Sequence, residues 1–489
     1  MGPKGKTSSL WPDQPGRVFG NRSVRVEREG RSDLTPYGGL ALAVELVQRL
    51  ELPRLLDEGL PLLKLRLPYY ESDHVLTHVY NLYVGGNCIE DIRNLQDSEA
   101  FRSLVGGCRA PDPTTAGDFL RRFGPGDLER FQAVEDAARE KVWAKLPRSR
   151  RRLATIDADS TIKPVYGACK EGADFSYTGE WSYHPLLLTL AQTGECLRLV
   201  NRPGNAASAS GVEPHLRSAM RVARRWFRRV AFRGDSKFYQ RATLLTCEEE
   251  GAWFAVVMEG FAGLQEIAES LPESRWKRYE SGTRERAETR PERRRRPRER
   301  LRDRRARERG YRNLRTRGEE VAEFYYQPRW APRPWRVAVK RQWVEHAKGE
   351  ARLFEECVYR FLISNIPRCE MNTKELVRFA YGRCDQENAI EQLKNGIGAM
   401  RMPTGEFLAN DAFLRMGQLA WNVRAWCCLL ALPEEASRWE WKRFRQAFVY
   451  VAARVVNHAR RIVARISAAH RFANEILAAW QRVHSLVFY

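Results

Sequence analysis

The sequence predicts a mixed α/β protein, an α/β core with a β-containing insertion, flanked by N-terminal and C-terminal helical regions. Three observations carry that prediction. Apolar residues recur at helical spacing up to about residue 131. Near residue 151 the period changes to short β-branched or alternating runs separated by turn chemistry. From residue 407 onward the spacing is helical again.

Taken in order, residues 1–33 are polar and rich in Gly and Arg. Helical spacing then links Leu40, Ala43, Leu46 and Leu50, next Val75, Val79 and Leu82, and next Ile89, Ile92 and Leu95. Gly-Gly pairs at 85–86 and 106–107, with Pro111 and Pro113, punctuate these helices. The segment from Asp112 to Phe123 reads as a capped short helix carrying Arg121 and Arg122. Residues 1–150 therefore form a helical region whose basic face either binds DNA or serves packing alone. His74 and His78 are four apart, but Val75 breaks the HExxH pattern, so they read as helix-surface residues.

Residues 151–259 read as the first part of the core. Strands are expected at 153–162, 185–190, 196–200, 229–234 and 253–258, with helices at 212–226 and 239–250. That order allows the first and fourth strands to lie side by side. Residues 260–355 interrupt it with an Arg-rich tract at 284–317 and two strand candidates, 321–326 and 335–340. The core resumes over 356–435 with a strand at 357–366 and a helix bearing Glu387. The runs 407–432 and 439–480 both read as helical, which makes 436–489 a C-terminal helical region.

At 489 residues, 43% of them hydrophobic, the chain supports two to four packed domains. The formal net charge is +22. The tract 284–317 holds 17 Arg against 6 acids, a surplus of 11, so half of the excess lies elsewhere. Distributed basic charge points to a polyanion partner. The 10 Cys include no CxxC pair, which excludes a zinc module or disulfide scaffold and suits a reducing compartment. No signal core and no membrane-length apolar run is present, so a cytoplasmic, nucleoid-associated protein without membrane contact is expected.

Three carboxylates sit where folding could bring them together. In a strand, Asp157 and Asp159 share a face, and either could be a metal ligand; Asp159, nearer the strand's end, is favoured. Asp235 follows Gly234 at a strand-to-helix junction, where it could equally cap the helix. On the later helix, Arg383, Glu387, Glu391 and Lys394 form one stripe beside Tyr381. Carboxylates for hard cations next to cations for phosphate suit metal-dependent phosphoryl transfer on nucleic acid.

These residues resemble a known family. Ile156-Asp-Ala-Asp-Ser-Thr161, Tyr177-Thr-Gly-Glu-Trp-Ser-Tyr-His-Pro-Leu186, Arg202-Pro-Gly-Asn205, Arg233-Gly-Asp-Ser-Lys-Phe238, Arg383-Cys-Asp-Gln-Glu-Asn388 with Lys394, and Phe407-Leu-Ala-Asn410 resemble DDE transposases of the IS4-like superfamily, IS1380 type. The resemblance runs from about residue 35 to 470. It implies an RNase H-like core and a catalytic triad of Asp159, Asp235 and Glu387 holding two Mg²⁺ ions, with Mn²⁺ as the substitute. It also implies DNA contacts by Arg383, Lys394 and Tyr381, and a homodimer acting on terminal inverted repeats and target DNA. The family's Tyr stands three residues before Arg, where this chain has Ala380; Tyr381 is one residue late, which leaves its role open. The implied activity is cut-and-paste transposition. A nuclease without strand transfer and an inactive DNA-binding relic are the alternatives.

Overall fold

A computed structural model describes residues 26, 33–280, 315–348, 351–459 and 461–488. Most of the Arg-rich tract lies outside the described residues. The N-terminal region holds a short strand, β1 (Leu34–Thr35), and seven helices: α1 (Leu40–Arg49), α2 (Leu52–Gly59), α3 (Glu71–Val84), α4 (Ile92–Gln96), α5 (Glu99–Leu104), α6 (Pro113–Leu120) and α7 (Pro125–Ala144). The residues that set the helical period are the ones buried, among them Leu40, Leu46, Val75, Val79, Leu82, Ile92 and Leu95. Helix α6 starts as its sequence predicts: Asp112 Oδ1 accepts from the Thr114 and Thr115 amides at 2.9 and 3.1 Å.

The central sheet contains β2 (Leu153–Ser160), β6 (Leu186–Leu190), β7 (Glu195–Val200), β8 (Arg229–Gly234) and β9 (Trp253–Met258). To these it adds β10 (Lys277–Arg278), β11 (Arg315–Tyr326), β12 (Trp335–Lys348) and β13 (Ala351–Ser364). Its order is β10-β11-β12-β13-β9-β8-β2-β6-β7. Strands β2, β6 and β7 are antiparallel neighbours, whereas β8 runs parallel to both β2 and β9. The first and fourth core strands are thus side by side. The insertion does not stand apart, because β11 and β12 continue the sheet beyond β13. Three short strands that periodicity did not reveal, β3 (Lys163–Pro164), β4 (Asp174–Phe175) and β5 (Trp181–Tyr183), form a small sheet of their own.

Alternation decides what each face of the large sheet does. Ala154, Ile156 and Ala158 of β2 join Leu186, Leu188, Leu190, Val230, Phe232, Phe254 and Val256 in one apolar layer. Helices α8 (Val212–Arg224), α9 (Arg241–Glu249) and α10 (Ala262–Glu269) cover that layer with Leu216, Met220, Leu244 and Leu264. The opposite face carries Asp157 and Asp159. It is covered by α11 (Thr373–Tyr381), α12 (Asp385–Glu391) and α13 (Phe407–Leu430).

Helix α13 spans 24 residues and is buried along most of its length, even at polar positions. Those polar groups are paired. Asn422 Oδ1 accepts from the Cys196 amide at 2.9 Å, and Gln418 Nε2 donates to Glu135 of α7 at 2.5 Å. Burial raises the Glu135 carboxyl to about 7. Together α7, β7 and α13 form a polar seam between sheet and helical body.

Two expectations need correction. The C-terminal region is not all helical. After α14 (Trp441–Phe448) come β14 (Ala453–His458) and β15 (Arg461–Ile466), and only then α15 (Ala473–His484). The run Arg454-Val-Val-Asn457 pairs with Ile462–Arg465 of β15 as a hairpin, and β1 joins its other side, with Leu34 opposite Arg454. The two terminal regions therefore share one core. The second correction concerns His74 and His78, which are buried rather than on the surface. His74 stacks on Phe119 at 4.3 Å, and burial lowers both imidazoles to about 4.

Candidate active site

Because β2 and β8 are parallel, their carboxyl ends lie at the same edge of the sheet, where α/β folds expose functional groups. Their register pairs Asp157 with Arg233, and the same offset two residues further brings Asp159 level with Asp235. Asp235 directly follows β8. Its Oδ1 accepts from the Lys237 amide at 2.9 Å, so it caps the turn Ser236–Phe238 while still presenting Oδ2. Gly234 before it is required, because a Cβ there would stand 2.7 Å from Phe238 Cβ.

Asp157 and Asp159 share a face but not an environment. Asp157 is buried and takes both forks of Arg233, Nε to Oδ1 at 2.6 Å and Nη2 to Oδ2 at 2.7 Å. Arg233 Nη1 also donates to the Phe379 carbonyl on α11. Gly382 lets the chain cross this arginine, since a Cβ would lie 2.7 Å from its Nη1. Asp157 is consumed by a structural bridge, which leaves Asp159 as the carboxylate at the open end of β2.

Directly after Gly382, Arg383 reaches into that open end. Its Nη2 lies 3.6 Å from Asp159 Oδ2 and 3.8 Å from Asp235 Oδ2, while Nη1 donates to the Ala158 carbonyl at 3.2 Å. One guanidinium therefore faces both aspartates. Gln386 is buried and donates to the Asp157 carbonyl at 2.9 Å, which pins α12 onto β2. Glu387, the next residue, is exposed and close enough to Asp159 for its charge to act on that carboxyl. Burial raises the Asp159 carboxyl above its ordinary range; Asp235 and Glu387 push the same way, and Arg383 and the Ser160 amide oppose them.

Lys394 lies on the π-helical turn Gln392–Gly396, and its Nζ donates to the Ile162 carbonyl, just beyond β2, at 2.8 Å. Burial and then the charge of Lys163 lower its pKa. Tyr381 ends α11 with its ring 5.1 Å from Lys340 Nζ, packed toward the insertion strands. Arg121 is exposed and paired with Asp118 at 2.8 Å and Glu406 at 3.1 Å. Arg122 borders an open hollow of about 430 Å³ with Lys64, Tyr69 and His74. His184 is buried with Nδ1 2.7 Å from the Ala206 carbonyl oxygen. Gln386 and Arg233 both lie in the motifs quoted from the sequence, but their roles as fasteners of α12 and Asp157 are not readable there.

The site is an edge of negative charge set among cations, on a sheet whose order brings distant acidic residues together. It belongs to a chain of the DDE transposases: the family Transposase DDE domain group 1 matches residues 17–487. The protein is thus a member of that family of DNA transposases, phosphoryl-transfer enzymes that generally use divalent metal ions. No curated protein matches it. Among solved structures, a piggyBac transposase synaptic complex with hairpin DNA overlays on 80% of this chain and 74% of its own, at 9% identity and a TM-score of 0.36. That likeness is too loose to transfer any residue or activity. Among the described residues no helix is long and apolar enough to cross a membrane.

Proposed function

We infer that this chain is the transposase of an insertion sequence, of the IS4-like superfamily and IS1380 type, built on an RNase H-like core. It cuts transposon ends and joins their 3′-hydroxyls to target DNA. The observation that carries this reading is the single Arg383 guanidinium facing Asp159 and Asp235, with Glu387 on the helix above them. The strand order, three antiparallel strands followed by two parallel to the first, supports the core assignment.

The donor set fits a hard divalent cation, being all carboxylate oxygen. The place between Asp159 and Asp235 already attracts positive charge, in the form of Arg383. As the side chains stand, no three acidic, His or Cys groups among the described residues lie together at liganding distance. Loading therefore calls for Arg383 to withdraw and for the exposed Glu387 to turn inward. Asp159, Asp235 and Glu387 would then hold two Mg²⁺ ions, or Mn²⁺ in their place. Bound there, such ions acidify the attacking hydroxyl and stabilise the leaving oxygen.

The remaining work falls to the protein's own cations. A withdrawn Arg383 grips a phosphate beside the cut, and Lys394 and Lys163 hold the strand that leaves along the end of β2. Tyr381, Arg121 and Arg122 lie farther out and would meet flanking DNA. Strand transfer needs no energy cofactor: the transposon 3′-oxygen forms one P–O bond as the target's P–O3′ bond breaks. Two ends must be cut together, so a homodimer on paired terminal inverted repeats, acting at the nucleoid, follows from the reaction.

The test incubates the purified protein with a transposon-end duplex, plasmid target and MgCl₂. Joined products are expected, and Asp159→Ala should remove them while leaving DNA binding intact. Cleavage without joining would make the protein a nuclease. Mg²⁺-dependent cleavage undiminished in Asp159→Ala would sink the assignment of the site.

A further inference from the structure

The opposite end of the same strands carries a second concentration of charge. The amino ends of β2 and β8 are preceded by Arg148-Ser-Arg-Arg-Arg152 and Arg224-Arg-Trp-Phe-Arg-Arg229. The Arg228 amide donates to the Arg151 carbonyl at 3.0 Å and the Arg229 amide to the Arg152 carbonyl at 3.2 Å. These bonds extend the parallel pairing backward and lay the two arginine runs side by side. Like charges held this close repel, and folding carries that cost.

Carboxylates offset little of it. Arg225 lies 2.8 Å from Glu140, and Arg229 lies 3.6 Å from Glu370. Among the described residues, Arg148, Arg150, Arg151, Arg152, Arg224 and Arg228 make no ion pair. The cluster also has a floor, an open hollow of about 640 Å³ lined by four of these arginines with Ser149 and Trp226. The Arg151 guanidinium lies 5.8 Å over the Trp226 ring. Walls of donors and positive charge with no carboxylate among them call for an anion rich in acceptors.

A single small anion would neutralise only one or two of these groups. Two adjacent arginine runs along a sheet edge match a line of charges instead, and duplex DNA presents one charge per roughly 1.7 Å of its axis. We propose that this edge is a second duplex-DNA site, which grips the phosphate backbone without reading sequence. Six residues of β2 separate Leu153 from Asp159, about 20 Å at the rise of a strand. The arginine edge and the carboxylates therefore engage different stretches of backbone. The proposal rests on the transposase reading for its choice of DNA as the polyanion.

The test measures binding of a short random-sequence duplex by fluorescence anisotropy in EDTA across a salt series. It compares the wild-type chain with R148A/R150A/R152A/R228A. The control variant R54A/R130A/R278A/R333A removes the same formal charge from exposed, ion-paired arginines elsewhere. The first variant should bind at least about tenfold more weakly, and its slope of log K against log salt should fall by about 3 to 4, near 0.9 per lost phosphate contact. The control should change by less than about threefold. Equal losses in the two variants would overturn the proposal, as would no loss in the first or tighter retention of an RNA duplex. If the fourfold variant fails to fold, R148A and R228A alone should each lower the slope by about 1. Metal-free binding reads no chemistry, so failure of the cleavage assay would leave this result standing.

Discussion

The buried middle of β2 and its open end carry the same side chain on the same face, two residues apart, and use it in opposite ways. At Asp157 a bidentate arginine neutralises the carboxylate, and the α11 backbone closes over the pair. At Asp159 the counter-charge is a guanidinium held at 3.6 Å, shared with Asp235 and supplied from the turn Gly382–Cys384 before α12. A fork at hydrogen-bond distance makes a fastener. A shared cation at longer range makes a place that another cation can take.

The largest contrast should appear when each aspartate is truncated. Asp157→Ala leaves Arg233 buried without its partner and should cost about 3–5 kcal/mol of stability by urea titration. Asp159→Ala should change stability by less than about 1 kcal/mol yet lower end cleavage by at least about a thousandfold, near 4 kcal/mol of barrier. Equal stability losses would erase the distinction between the two levels of the strand.

A smaller effect concerns burial alone. His74 and His78 fold with imidazoles at about 4 against an ordinary 6.5. Between those values the unfolded chain binds more protons, so their stability is fully present above 6.5 and is lost as pH falls toward 4. For each imidazole this amounts to roughly 3 kcal/mol. His74→Phe, which keeps the stack on Phe119, should melt with a shallower pH dependence between 7 and 5 than the wild type; an identical dependence would mean that His74 is not buried neutral.

Next in size is the counter-ion of the open end. Arg383→Ala should raise the DNA-free affinity for Mn²⁺, followed by electron paramagnetic resonance, by about tenfold, or near 1.4 kcal/mol. Unchanged affinity would show that the guanidinium and the metal do not compete. The smallest change should come from Arg121→Ala. That exposed group already shares Asp118 and Glu406, so stability by urea titration should move by less than about 0.5 kcal/mol.

Much of this was legible in the chain. Strands 229–234 and 253–258 were readable to the residue, because their alternation is bounded by Gly or turn chemistry. The Gly-Asp junction flagged Asp235, and the helical stripe flagged Arg383 and Glu387. The fate of Asp157 was not legible, since Arg233 reaches it only through the register of two strands far apart in sequence. The hairpin β14–β15 was missed because Val455, Val456, Ile462 and Val463 also fit a helical spacing; the pairing of the two strands with each other, and of β14 with β1, selects the extended form. His74 and His78 were misplaced because helix spacing gives no hint of how many neighbours cover each face.

The order of apolar and polar residues along the chain determined which segments extend and which coil, and it set oxygen donors and basic groups in a sequence suited to DNA chemistry. Periodicity is local, so those features needed no knowledge of partners. Which aspartate is spent on structure, which cation faces the other, and which arginines gather at the far edge were decided only when two parallel strands took their register. Side-chain pairing depends on distance through space, and the chain's linear order does not encode that distance directly.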